Sequence, residues 1–378
     1  MGERRQSQKR GSRYRYLYLV MAAVVLAIIA IVVIIVTVTG GAKEKEDNGC
    51  MIGLECLPIS ECEGHRNLDF AYGCGDNDRV CCLSKVDNFA EVSTETRQLK
   101  AALLPTKCGL TSGQDRIANG VNATIGQFPW MALLGYTSPS LPVPTFLCGG
   151  TIINKKYILT AAHCTMNPGM KLELVKLGEL NLLTKIDCEP YLDNEVCADE
   201  PLIIKVSKVI PHWKYNSTSL RHDIALLRLE QEILQYTDFI QPVCLPLKMK
   251  LDEAYLRNKS LTIAGWGKTF ESPFSANVLQ HARIKTWELE KCNEALPANV
   301  KPVNVRQICA TGENFTEACR GDSGGPLLDI VAEPPDVKFT QLGVVSFKSY
   351  DTCGTVNIPS VFTRVDKYLD WILDMIEE

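Results

Sequence analysis

A serine set between glycines, in Arg320-Gly321-Asp322-Ser323-Gly324-Gly325-Pro326, occupies a stretch too tight for an ordinary strand or helix. A serine hydroxyl is a weak nucleophile at neutral pH and needs a neighbouring base. The chain offers one in Thr160-Ala161-Ala162-His163-Cys164, and a carboxylate to orient it in His222-Asp223-Ile224-Ala225-Leu226-Leu227. Imidazole titrates near neutrality, so His163 can take a proton and return it. Attack of Ser323 on a carbonyl carbon is the chemistry these residue types do together. Taken singly they read as a structural histidine, a loop aspartate and a turn serine. All three inside such flanks favour the chemical reading.

The order His, Asp, Ser with these flanks resembles the chymotrypsin-like serine peptidases, over Cys108 to the C-terminus. That resemblance implies peptide hydrolysis, with Ser323 as nucleophile, His163 as base and Asp223 fixing the imidazole tautomer. The N–H groups of Gly321 and Ser323 are then expected to form the oxyanion hole. Ser346, in Val345-Ser346-Phe347, matches a position that hydrogen-bonds the aspartate. Asp115-Arg116-Ile117-Ala118-Asn119-Gly120 looks like a zymogen activation site. Cleavage after Arg116 would free the Ile117 ammonium to pair with Asp322, a buried charge that is costly without a partner. Ala118 and Asn119 replace the usual valine and glycine, while Ile117 and Gly120 are retained.

The substrate pocket departs from the family pattern. Glu317 stands where trypsin-like members have aspartate, and Lys348 and Ser360 stand where they have glycine. The longer acid would meet a substrate arginine early, and the two side chains narrow the pocket. A Lys348–Glu317 pair in a desolvated cleft would also cancel the charge that a basic P1 residue needs. Two readings stand: restricted cleavage after a small or unusual residue, or retained selectivity for Arg and Lys.

The elements that must hold these residues read as short strands separated by Gly, Pro and Asn, as in Thr151–Leu159, Leu261–Ala264 and Gln341–Phe347. Regular short strands of this kind indicate an all-β barrel architecture. Val365, Leu369, Ile372 and Ile376 recur with helical spacing at the end of the chain. The resemblance implies two six-stranded antiparallel β-barrels and a C-terminal helix across residues 117–378. It also implies disulfides Cys148–Cys164, Cys292–Cys309, Cys319–Cys353 and Cys188–Cys197, with Cys108–Cys244 tethering the N-terminal chain.

Upstream, Cys50, Cys56, Cys62, Cys74, Cys81 and Cys82 crowd into residues 50–82, too few to fold without staples. Their order, ending in adjacent cysteines, resembles the clip domain that precedes arthropod serine proteases. The resemblance implies pairs 50–81, 56–74 and 62–82. Residues 83–116 read as a polar linker and activation peptide, helical around Thr96–Leu104.

The first 16 residues carry a net charge of +5, which leaves −9 on the rest of a chain whose total is −4. That acidic remainder gives no footprint for nucleic acid. Residues 17–39 carry no charge, and a run of this length spans a hydrocarbon core. Basic residues ahead of it predict a cytoplasmic N-terminus and a type II signal anchor. The rival is a cleaved signal peptide ending near Gly40-Gly41-Ala42, whose apolar region would be unusually long. Both export residues 43–378, and 16 cysteines suit that oxidising compartment. So do the sequons at Asn122, Asn216, Asn258 and Asn314.

Partners implied by the resemblance are a protein substrate, an upstream activating protease and a serpin-type inhibitor, in an arthropod immune or developmental cascade. A non-catalytic scaffold of the protease-homologue kind is the competing class. The chemistry requires no cofactor. The acidic loop Glu179–Glu200, with Asp187, Glu189, Asp193, Glu195 and Asp199, offers the oxygen ligands Ca²⁺ favours, against the reading of a solvated acidic loop.

Overall fold

The computed structural model describes residues 55–58, 79–82, 94–112, 121–191, 194–268, 275–297, 303–312, 318–333, 336–348 and 358–378. The chain divides into two compact units, Met1–Ala90 and Glu91–Glu378. In the first, β1 (Glu55–Pro58) and β2 (Arg79–Cys82) pair antiparallel with Cys56 opposite Cys81. Cys50, Cys62 and Cys74 lie outside the described residues, and with them the expected clip-domain pairing. The apolar segment 17–39 lies outside them too; among the described residues no helix is long and apolar enough to cross a membrane.

The second unit opens with helix α1 (Thr94–Ala101), followed by the short strand β3 (Val121–Asn122). The first barrel then takes in β4 (Met131–Ser138), β5 (Leu141–Ile152), β6 (Tyr157–Thr160) and β7 (Lys171–Leu177). After a hairpin of β8 (Cys188–Tyr191) and β9 (Asn194–Cys197), β10 (Leu202–Pro211) and β11 (Ala225–Leu229) close it in the order β10-β11-β6-β5-β4-β7. The β-rich run Thr151–Leu159 is two strands, not one. Buried Asn154 turns the chain between them, its side-chain oxygen accepting the N–H of Lys156 at 2.9 Å and of Tyr157 at 2.8 Å. Such an Asx turn competes with the ladder and ends it.

A single helical turn, α2 (Glu253–Leu256), leads into the second barrel. Its strands are β12 (Ser260–Gly265), β13 (Gln280–Trp287), β14 (Gln307–Gly312), β15 (Pro326–Glu333), β16 (Asp336–Lys348) and β17 (Ser360–Arg364), with α3 (Leu289–Ala295) after β13. They run β12-β15-β16-β17-β14-β13, and β12 pairing with β13 closes the circle while β3 adds to β13. All these pairings are antiparallel, so every edge within a barrel is satisfied.

The chain ends in a 3₁₀ turn over Val365–Lys367 and helix α4 (Leu369–Met375). Val365, Leu369, Ile372 and Ile376 are all buried, and they join the core of the first barrel. The helical stripe thus serves as a clamp that returns from the second barrel to the first. Disulfides join Cys108 to Cys244, Cys148 to Cys164, Cys188 to Cys197 and Cys292 to Cys309. Cys319 is disulfide-bonded as well, while Cys353 lies outside the described residues.

Candidate active site

The end of β6 delivers His163 into a 3₁₀ turn over His163–Thr165. Two ties fix that turn: the Cys148–Cys164 disulfide to β5, and a hydrogen bond of 2.7 Å from the buried Tyr136 hydroxyl to the Cys164 carbonyl. Burial pushes the Tyr136 phenol upward, so it remains a donor at any ordinary pH.

Asp223 enters just before β11 and is fully buried. Its neighbour His222 has φ of 57°, which turns the backbone so that the aspartate faces inward. One carboxylate oxygen accepts the His163 backbone N–H at 2.8 Å; the other lies 2.7 Å from His163 Nδ1. A carboxylate only accepts, so in the neutral imidazole Nδ1 carries the hydrogen and Nε2 keeps the lone pair. The Ser346 hydroxyl donates to Oδ2 at 2.5 Å, and Thr363 donates to the Asp223 carbonyl at 2.7 Å. Asp223 is therefore held by both barrels: β11 carries it, while β16 and β17 satisfy it.

Ser323 sits in a turn anchored on β5 and β16. Its carbonyl accepts the N–H of Gly149, in β5, at 2.8 Å. Gly324 has φ of 78°, and a Cβ there would stand 2.2 Å from Thr160 Oγ1 and 2.4 Å from the Gly149 carbonyl. Only glycine lets the serine turn approach β5 and β6 this closely. Gly321, at φ of 106°, likewise packs against Gly267. Among the described residues the N–H groups of Gly321 and Ser323 donate to no protein acceptor. The Ser323 hydroxyl makes no hydrogen bond to His163, whose ring contacts are Asp223 and Cys164.

Asp322 points the other way. Its carboxylate packs against Gly265 and Gly267 and accepts the N–H groups of Gly267 and Cys319, each at 2.8 Å. Loss of solvent, only partly offset by those two bonds, pushes its pKa up to about 6.

A cleft of about 200 Å³ beside Ser323 is lined by Arg320, Phe347, Lys348 and Ser360 among others. Lys348 and Ser360 are direct cross-strand partners in the β16–β17 ladder, so their side chains leave the sheet on one face. Buried Ser360 reaches the Ala318 carbonyl at 3.4 Å. Arg116, Ile117, Glu317 and Asn314 lie outside the described residues. Asn122, Asn216 and Asn258 are all exposed.

Two acids of the loop are already engaged within the protein. Buried Glu179 pairs with the Lys176 ammonium and accepts Leu180 N–H at 3.1 Å. Asp187, also buried, accepts the N–H groups of Leu180 and Asn181 at 3.0 and 3.2 Å and the Thr184 hydroxyl. A lysine supplies positive charge beside Glu179, and the Asp187 oxygens accept bonds from the loop itself. Two other clusters of metal-binding residue types among the described residues, Cys148/His163/Cys164 and Cys188/Glu195/Cys197, have both sulfurs tied in disulfides.

Sequence reasoning passed over the support behind Asp223. His222 stacks on His212 with centroids 5.0 Å apart and meets the Tyr368 hydroxyl at 3.1 Å. Burial, reinforced by nearby cations, pushes His222 down to about 4. This imidazole therefore stays neutral and adds no charge beside the aspartate. Its adjacency to Asp223 in sequence was the one available signal.

Comparison with known proteins adds to this geometry. Residues 117–372 match the family named Trypsin. The chain is 37% identical over 335 residues to phenoloxidase-activating factor 1 of Holotrichia diomphalia, covering 86% of this chain and 88% of that protein. It is 37% identical over 336 residues to melanization protease 1 of Drosophila melanogaster, covering 84% and 82% respectively. The crystal structure of the Drosophila Grass clip serine protease of the Toll pathway superposes with a TM-score of 0.64 at 31% identity, over 78% of this chain and 80% of that one.

Proposed function

Because the chain belongs to the trypsin family of serine proteases, among its clip-domain members, we propose that it is an extracellular endopeptidase zymogen acting by limited proteolysis in an arthropod immune or developmental cascade. The observation that carries this reading is the Ser346–Asp223–His163 hydrogen-bond chain, with the Ser323 turn hung on the strands that bear the histidine. Ser323 Oγ attacks the scissile carbonyl as His163 Nε2 takes its proton. Asp223 stabilises the imidazolium through Nδ1, and the unengaged N–H groups of Gly321 and Ser323 receive the oxyanion. The imidazolium then protonates the departing amine, and water repeats the sequence on the acyl-enzyme.

Cleavage after Arg116 is the proposed switch, delivering the Ile117 ammonium to Asp322. Disulfides throughout the peptidase unit support an oxidising compartment. The uncharged segment 17–39 supports a type II membrane anchor. The names of the two relatives and of the Grass structure support a cascade setting, with a zymogen or cytokine precursor as substrate and an activating protease as partner. A serpin-type inhibitor is the further partner we propose.

A second reading, a non-catalytic scaffold, draws support from the cross-strand Lys348–Ser360 pair facing the cleft. The deciding experiment expresses residues 43–378, cleaves after Arg116, and compares fluorophosphonate labelling and peptide turnover with a Ser323→Ala control. Ser323-dependent labelling and cleavage are expected. A correctly cut protein with neither would put the scaffold reading first.

A further inference from the structure

The segment ahead of the activation site is built into the peptidase unit at more places than its disulfide. At the end of α1, Lys100 donates to the Asp374 carbonyl of α4 at 2.9 Å, with the Asp374 carboxylate 3.8 Å away. Leu104 is buried in the main hydrophobic core, and Ala101 and Leu103 pack against it. Asn154, whose side-chain oxygen holds its own turn, gives its amide to the Leu103 carbonyl at 3.2 Å. Gly109 exchanges backbone bonds with Pro242 and Phe339, each at 2.8 Å. Its φ of 64° and the absence of a Cβ permit this, since that atom would lie 2.2 Å from the Phe339 carbonyl oxygen. Thr111 donates to Gly126 at 3.0 Å and Ser112 to Asp238 at 2.9 Å.

Each of these partners lies C-terminal to Arg116, so a cut between residues 116 and 117 breaks none of the bonds. We infer that the peptidase unit carries a docking surface for the chain's own segment Lys100–Ser112. The severed N-terminal chain stays seated on it without help from the Cys108–Cys244 disulfide. The inference rests on the proposed cleavage after Arg116. It makes the segment part of the packed peptidase and not only a disulfide-linked tail: a peptidase beginning at Ile117 would expose the Leu104 seat and leave the buried Asn154 amide without its acceptor.

The test uses the full chain carrying Ser323→Ala, Cys108→Ser and Cys244→Ser, with a sequence-specific viral-protease site in place of residues 113–116. After cutting, the fragments are run on size exclusion at low micromolar concentration. Co-elution is expected, and adding Lys100→Glu and Leu104→Asp should release at least about half of the N-terminal fragment. Complete separation before those two changes, from a peptidase that still melts cooperatively, overturns the inference. A second measurement avoids the cysteine changes: hydrogen exchange on the disulfide-intact protein, before and after cutting. Retained protection at Gly109 and Leu104 is expected, and loss at both overturns the proposal. Neither readout needs Arg116 or turnover, so an inactive enzyme after authentic cleavage would count against the proposed function alone.

Discussion

At the scale of single residues, the two acids around the serine have opposite environments. Asp223 accepts three donors from residues of both barrels, two of them from His163. Replacing it with asparagine keeps the size but presents an amide to Nδ1, favouring the wrong tautomer. Asp223→Asn should lower kcat on the order of 10⁴-fold while leaving the melting transition cooperative, read by peptide turnover and calorimetry. Asp322 is the poorer of the two in donors, and burial raises its pKa to about 6. A carboxyl raised above its unfolded value opposes stability once ionised, and the penalty grows as pH climbs from the unfolded pKa through the folded one. In the uncleaved chain this loss should be complete above about pH 6. Each tenfold weakening of the acid by burial costs the folded state about 1.4 kcal/mol there. Pairing with Ile117 would remove that cost. Cleaved and uncleaved Ser323→Ala proteins should therefore differ more in Tm at about pH 7 than at about pH 5. An equal difference at both would mean that Asp322 gains no cation on cleavage.

At the scale of elements, the site depends on which strands lie opposite one another. Lys348 faces Ser360 because β16 pairs with β17 in that register, after a bulge between Val345 and Phe347. A one-residue slip would send both side chains to the other face. Glycine at both positions should open the cleft. Lys348→Gly with Ser360→Gly is expected to raise kcat/KM for a P1-arginine peptide by at least about tenfold, within the range that pocket contacts command. No change would place the restriction elsewhere, Glu317 first.

Local pattern made the candidate site legible as a set of residues: the serine turn, the flanks of His163 and Asp223, and the helical stripe of Val365, Leu369, Ile372 and Ile376 were all readable. Their supports were not. Thr363 and Asp223 are 140 residues apart, and Lys100 and Asp374 are 274 apart. Such pairs are products of barrel closure, which no local period encodes. The split of Thr151–Leu159 was missed for a different reason. β-rich composition outweighed one asparagine whose side chain bonds its own backbone.

At the scale of the whole molecule, charge and hydropathy divide the chain more sharply than its folds do. Five net positive charges precede an uncharged run at 17–39, and everything beyond residue 16 is acidic at −9. A helix over that run would cover the roughly 30 Å of a hydrocarbon core, at 1.5 Å per residue. Positive residues on its near side would resist translocation and hold the N-terminus in the cytoplasm. The acidic remainder, with exposed sequons at Asn122, Asn216 and Asn258, would then face outward. Full-length chain expressed in insect cells should remain with membranes through alkaline carbonate washing, whereas residues 43–378 behind a cleavable leader should enter the medium. Replacing the six basic residues of the head with glutamine should leave the helix inserted but mix its orientation, because the apolar length is unchanged while the orienting charge is gone. Protease protection of a tag at the N-terminus reads the orientation. Full-length chain found only in the medium, with a new N-terminus near Ala42, would instead make the run a cleaved leader and the zymogen freely diffusing. Cascade activation would then depend on encounter in solution, not on confinement at a membrane.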